Sequence, residues 1–213
     1  PNYSVHIQQL LAGEFDLAIT GPHFAALAEE RSMHILYRYA AKLETLLVLP
    51  AGSPPLQPAQ LRGKTIATSS RFAIITLGSL EWLEKNGLEF NKDYTLQEYP
   101  SHGAAIAAVA NGMADAAFVA RSALQQNPDE VKRTVSVQET GIFLPQVCTL
   151  LNRRLDIAMM ERITRAFASF PDTVSGKEFF QRTGYAGYTP LSTADRAQLR
   201  SYISLTKRLL ELP

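Results

Sequence analysis

The chain has 213 residues, 46% of them hydrophobic, a formal net charge of +1 and one cysteine, Cys148. That length admits one domain or two, and the apolar content suffices for a buried core. No basic cluster marks a nucleic-acid surface, no apolar run is long enough to span a membrane, and a lone cysteine excludes both an internal disulfide and a four-cysteine zinc site.

Ser4 to Leu11 reads as a short helix with Val5, Ile7, Leu10 and Leu11 apolar. Phe15–Thr20 is a strand, Phe24–Glu30 an alanine-rich helix, and Met33–Ala41 a strand with Ile35, Tyr37 and Tyr39 alternating. Leu43–Leu49 is a strong strand, closed by the turn cluster Pro50-Ala51-Gly52-Ser53-Pro54-Pro55. A helical turn at Pro58–Lys64 and a strand at Thr65–Thr68 follow. A helix then starts after Ser69-Ser70 and runs to Asn86-Gly87. Tyr94–Tyr99 is a strand, and Ser101–Asn111 a helix with Ser101 as its N-cap. Gln146–Leu151 is a strand, and Asp156–Phe170, Ser175–Arg182 and Thr193–Leu212 are helices. Strands alternating with helices predict parallel sheets flanked by helices, with the three closing helices wrapped back onto one lobe.

One pattern occurs twice. Leu10-Leu11-Ala12-Gly13-Glu14-Phe15-Asp16 and Val109-Ala110-Asn111-Gly112-Met113-Ala114-Asp115 each end an apolar helix on a glycine. Each then opens a short apolar strand on an aspartate. Glycine supplies the left-handed cap, and the strand that follows reads as covered on both faces. The strands stop at Gly21-Pro22-His23 and at Ala120-Arg121-Ser122. Ligands of open α/β sheets gather beyond such carboxyl ends, so two of them predict a cleft closing on something small. A chain opening on Pro1 rather than Met reads as a processed or trimmed product.

These residues resemble the phosphate/phosphite/phosphonate-binding proteins of ABC importers. The stretches that carry the resemblance are Asn2-Tyr3-Ser4, Gly13–Pro22, Leu46–Leu49 with Ser53-Pro54, and Leu61-Arg62-Gly63-Lys64-Thr65-Ile66-Ala67. Ser101–Val109, Gly112–Ala117, Gly176-Lys177 and Thr183–Pro190 complete the series. The resemblance implies a two-lobed α/β fold of the periplasmic-binding-protein type (type II), each lobe a sheet flanked by helices. Lobe I would comprise residues 1–46 and 147–213, and lobe II residues 47–146. The family normally begins with a strand, a helix and a second strand that are absent here, so an apolar sheet edge should lie uncovered.

The resemblance also implies site residues. Tyr3 stands where the family places a tyrosine that touches the oxyanion, and His102 where it places a histidine at a helix mouth. There the ring shares the positive helix end with free backbone N–H groups; capping alone is the other reading. Ser69, Ser70 and Arg71 follow a strand and precede a helix, where hydroxyls and a guanidinium can fork onto an oxyanion, or where a serine simply caps beside a solvated arginine. Arg121 replaces an acidic residue that pairs with an aminoalkyl group, and a second acid is replaced near Val147 or Cys148. Both replacements argue against an aminoalkylphosphonate and fit an anionic ligand without an amine, or a ligand of another class. His23 either faces the cleft or sits in a surface loop. His6 and His34 read as surface or packing residues, and Cys148 as a buried inert thiol rather than one reaching a soft ligand such as arsenite.

No nucleophile elbow, flanking carboxylate pair, phosphate-loop or dinucleotide glycine pattern, or metal-ligand spacing is present. The expected protein is therefore not an enzyme and carries no cofactor or metal. It is a periplasmic or otherwise extracytoplasmic solute-binding domain for a small, anionic, phosphonate-like molecule. Its partner is an ABC permease or a sensor kinase, with contact to the membrane peripheral at most. The effector-binding domain of a LysR-like transcription regulator is the alternative, since its lobes carry a similar Gly-x-x-Asp-x-Ala pattern. A two-lobed enzyme of the thiamine-precursor or prephenate type ranks third.

Overall fold

The computed structural model describes residues 3–211; the expectations touching Asn2 and Leu212 lie outside them. In chain order the elements are α1 (Tyr3–Leu11), β1 (Leu17–Thr20), α2 (Pro22–Glu29), β2 (Met33–Tyr39), β3 (Leu43–Pro50), β4 (Thr65–Thr68) and α3 (Ile74–Lys85). Then come β5 (Thr95–Glu98), α4 (His102–Ala110), β6 (Ala116–Ala120), α5 (Arg121–Gln125), α6 (Asp129–Arg133) and β7 (Val135–Leu144). The chain closes with β8 (Cys148–Asn152), α7 (Ile157–Ser169), α8 (Val174–Thr183), β9 (Tyr188–Thr189) and α9 (Thr193–Leu209). It divides into two compact units. One runs up to Lys42 and resumes at Pro145; the other is Leu43–Leu144.

The first unit's sheet has the order β1-β8-β2-β9, and every neighbouring pair is antiparallel. The expected parallel sheet is corrected here. β1 and β2 do run in one direction, as a strand–helix–strand crossover requires, but β8 inserts between them and pairs with both. The reading of β1 as covered on both faces is corrected too. Ala18 and Thr20 are buried, but Leu17 and Ile19 are 39% and 47% exposed, because β1 is an edge strand. The uncovered apolar edge expected from the sequence is this one. On the same face α7 buries none of its own residues. A groove of about 420 Å³ opens between Leu36 and Leu151 of the sheet and Ile157 and Met160 of the helix.

The opposite face of this sheet packs on α2, and α9 lies against α2 in turn. α9 starts at Thr193 as expected, and Ser192 caps it, accepting from the Asp195 N–H, while Asp195 accepts from the Ser192 N–H and hydroxyl. Asp195, only 2% exposed, also receives Arg38 Nε and Lys42 Nζ at 2.8 Å each. Arg38 in turn donates to the carbonyls of Tyr39 and Ala40. One buried carboxylate thus ties the C-terminal helix to the end of β2. The Thr183–Pro190 motif is structural as well. Tyr185 stacks on Tyr39 with centroids 4.3 Å apart, and Ala40 and Ala41 donate to the carbonyls of Gly187 and Tyr185.

The second unit's sheet has the order β5-β4-β6-β3-β7. β5, β4 and β6 are parallel; β3 is antiparallel to β6 and to β7. Here a fully apolar strand is covered on both faces as expected: every residue of β6 is buried. α4 lays Ala105, Ile106, Ala108 and Val109 over Leu46, Val48, Ala67, Ala117 and Val119, its small residues admitting close approach. α3 covers the other side, where Trp82 meets Phe118 edge-on at 6.0 Å. Asp115 fastens β4, accepting from the Thr65 N–H at 2.8 Å. Asp16 instead pairs with Arg154. Gly112 ends α4 at φ +70 with open space around it. Gly112→Ala is therefore expected to cost about 1 kcal/mol from backbone strain alone, read as a lower urea midpoint at unchanged slope.

Candidate functional site

Because β4, β5 and β6 are parallel, their carboxyl ends lie along one edge of the second unit's sheet. The register fixes who stands there. Thr68 pairs with Glu98, and the Tyr99 N–H donates to the Thr68 carbonyl at 2.8 Å. Ala67 pairs with Ala117, which sets Ser69 and Ser70 level with the end of β6, just before Arg121. Side chains alternate across a strand. Ala67 lies in the core under α4, so Ser69 returns to the α4 side, where Tyr99 also packs.

Ser101 opens α4 with its Oγ accepting from the Ala104 N–H at 3.1 Å. The N–H groups of His102 and Gly103, in the first turn, have no acceptor within the helix. They add a positive helix end to the edge. The His102 ring is half-buried with its Nδ1 inside the protein. Burial pulls its pKa down to about 4, so the ring is neutral at physiological pH.

Buried polar atoms nearly always find a hydrogen-bond partner. Among the described residues of this unit, the Thr45, Ser69 and Tyr99 hydroxyls and His102 Nδ1 have none. All four belong to this edge, Thr45 through its register opposite Ala120. Ser69, Tyr99 and His102 share the α4 side. Tyr99 and Thr45 escaped the sequence reading. Tyr99 reads as the last residue of a strand, and its only signal is the Pro100-Ser101 helix entry that follows. Thr45 has no signal outside the strand register.

The other expected residues are otherwise engaged. The Ser70 Oγ accepts from the Phe72 N–H at 3.2 Å. Arg71 is exposed and donates to Glu98 from both Nε and its backbone N–H. Arg121 forks onto Glu44 and reaches Glu139 at 2.7 Å. Hydrogen bonding from Arg121, against the opposing effect of burial, holds the Glu44 carboxyl below its usual range. The guanidinium is thus matched by two carboxylates. Exposed ion pairs contribute little, so Arg71→Ala is expected to leave oxyanion affinity within about threefold in calorimetry. A larger loss would give Arg71 a direct contact.

In the first unit, Tyr3 begins α1, 37% exposed, with its ring 6.1 Å from Phe24. Burial raises its pKa. His23 is no loop residue: it lies in the first turn of α2, 1% exposed and 4.0 Å from the Phe24 ring. His6 does more than expected, its Nε2 standing 3.0 Å from the Thr20 hydroxyl at the end of β1. Cys148 is fully buried, and burial pushes its thiol up to about 12. No group of three or more potential metal ligands occurs among the described residues.

Residues 1–196 match the family described as "ABC transporter, phosphonate, periplasmic substrate-binding protein". The chain belongs to this family. Solved structures similar to it include PhnD1 from Prochlorococcus marinus in complex with methylphosphonate. The TM-score is 0.79 at 13% identity, covering 99% of this chain and 84% of that one. A binding protein component of an ABC phosphonate transporter from Pseudomonas aeruginosa gives 0.78 at 18% identity, covering 99% and 76%. XAC2383 from Xanthomonas citri, bound to ATP, gives 0.75 at 20% identity, covering 99% and 84%. No curated protein matches the chain in sequence. The fold is accordingly that of a type II periplasmic binding protein.

Proposed function

We propose that this chain is an extracytoplasmic solute-binding domain that captures a small phosphorus oxyanion, without turning it over, for delivery to an ABC importer. The same chemistry would serve as the input of a sensor kinase; the family's transporter description favours the importer. The observation that carries the reading is that Ser69, Tyr99 and His102, on the α4 side of the carboxyl edge, each hold a buried polar atom without a partner. Two hydroxyls, one imidazole nitrogen and two backbone N–H groups would surround an anion of tetrahedral shape.

The residues that could hold a cationic ligand group are spent. Glu44, Glu139 and Glu98 are tied up by Arg121 and Arg71. The ligand's remaining substituent is therefore small and uncharged, as in methylphosphonate or phosphite.

A thermal-shift series over phosphate, phosphite, alkylphosphonates, sulfonates, arsenite and small carboxylates tests this. A ligand present at a hundred times its dissociation constant stabilises the native state by about 2.7 kcal/mol. Methylphosphonate or phosphite is expected to raise the midpoint and carboxylates to leave it in place. A series in which no phosphorus oxyanion shifts the midpoint would end the proposal.

A further inference from the structure

The elements packed against α4 are β3, β4, β6, β7, α5 and α6. Their charged groups near the carboxyl edge are Glu44, Arg71, Arg121, Glu139, Asp129 and Lys132, with Glu98 at the end of β5. Arg71 is paired with Glu98, Lys132 with Asp129, and Arg121 with both Glu44 and Glu139. Glu130 and Arg133 of α6 are exposed to water. Lys64 is bound to Asp115 at the opposite end of the sheet. Among the described residues of these elements, no uncompensated cation faces the site.

Building on the reading that this edge holds a phosphorus oxyanion, we propose that it selects the singly charged, monoprotonated form and rejects the dianion. Two arguments lead there. The cost of withdrawing an ion from water grows as the square of its charge, so a site built from dipoles alone tolerates one negative charge far better than two. The second argument is the count of donors and acceptors. A neutral imidazole has one bare nitrogen. In the tautomer that leaves Nδ1 bare, that buried atom accepts the P–O–H proton, while the N–H groups of His102 and Gly103 and the hydroxyls of Ser69 and Tyr99 donate to the other two oxygens. A sulfonate has the same shape and charge but no proton to give. It would set an oxygen lone pair against the Nδ1 lone pair.

Calorimetric titration of the full chain with methylphosphonate and with phosphite, from well below to well above the ligand's second ionisation, provides the test. Methanesulfonate is the proton-free comparison, and a melting curve at each pH shows that the protein is folded. Burial keeps His102 neutral over that range, so the ligand's own proton sets the profile. Affinity for both phosphorus ligands is expected to fall as pH rises, approaching about tenfold per pH unit above the ionisation. Methanesulfonate is expected to bind at least about tenfold more weakly, with no such slope. Phosphorus-ligand affinity that stays level or strengthens with pH, or equal binding of the sulfonate, overturns this selection while leaving the oxyanion site intact. Absence of binding by either phosphorus ligand at every pH overturns the site itself, and the selection with it.

Discussion

His102→Ala is expected to weaken methylphosphonate binding by about 1.5–3 kcal/mol, the range for a hydrogen bond to a charged group. In calorimetry that is roughly a tenfold to hundredfold rise in dissociation constant. The thermal midpoint of the free protein should move little. The reason lies in what His102 does for the fold. Capping of α4 is the work of Ser101, alanine is well tolerated in a first helical turn, and the Nδ1 atom contributes no internal hydrogen bond. A buried orphan is a burden to stability, so its loss and the loss of affinity should separate. Affinity that survives the substitution would remove His102 from the site. Ser69→Ala should show the same separation at about 1 kcal/mol, the value of a neutral hydrogen bond.

The second large effect falls on stability. Asp195→Ala should destabilise the first unit by about 3–5 kcal/mol, since it strands Arg38 beside a buried face and removes the carboxylate half of the α9 capping box. Asp195→Asn, which keeps the shape and one acceptor, should cost less. The pH dependence has a definite sign. Burial opposes ionisation of Asp195, but hydrogen bonds from Lys42, Ser192 and Arg38 outweigh it and hold the carboxyl well below the usual carboxylate range. A depressed carboxyl stabilises at pH above its unfolded value of about 4 and loses that contribution as pH falls further. The urea-midpoint gap between wild type and Asp195→Asn should therefore be narrower at pH 3 than at pH 7. A gap of the same size at both pH values would mean that the carboxylate charge is irrelevant.

Much of this was legible in the sequence because it was local. The glycine stops at Gly13 and Gly112, the Ser101 cap and the fully apolar β6 are each written in a few adjacent residues, and each stands as expected. What escaped was written across distance. The parallel sheet expected for the first unit ignored β8, which arrives more than a hundred residues after its neighbours and separates them. β7 went unread because the polar run Gln138-Glu139-Thr140-Gly141 interrupts its apolar residues. A bulge there sets Glu44 opposite Phe143 but Leu46 opposite Glu139, with Gly141 left-handed inside it. Leu17 and Ile19 look like core residues because composition cannot tell an edge strand from a central one. The largest revision concerns Arg121. As a lone guanidinium beyond a strand it invited an anion; Glu44 and Glu139 reach it only through the sheet. Tyr99 shows the converse, a site candidate revealed by a hydroxyl left without a partner.

The sealed position of Cys148 makes the chain its own reporter. The single thiol belongs to the first unit and the single tryptophan, Trp82, to the second. With Cys148 at 0% exposure, a colourless-to-yellow disulfide reagent can label only molecules whose first sheet has come apart, and its rate counts those openings. Indole fluorescence, with Trp82 edge-on to Phe118, follows the other half. The two signals let the halves be timed separately in one cuvette without adding a dye or changing a residue.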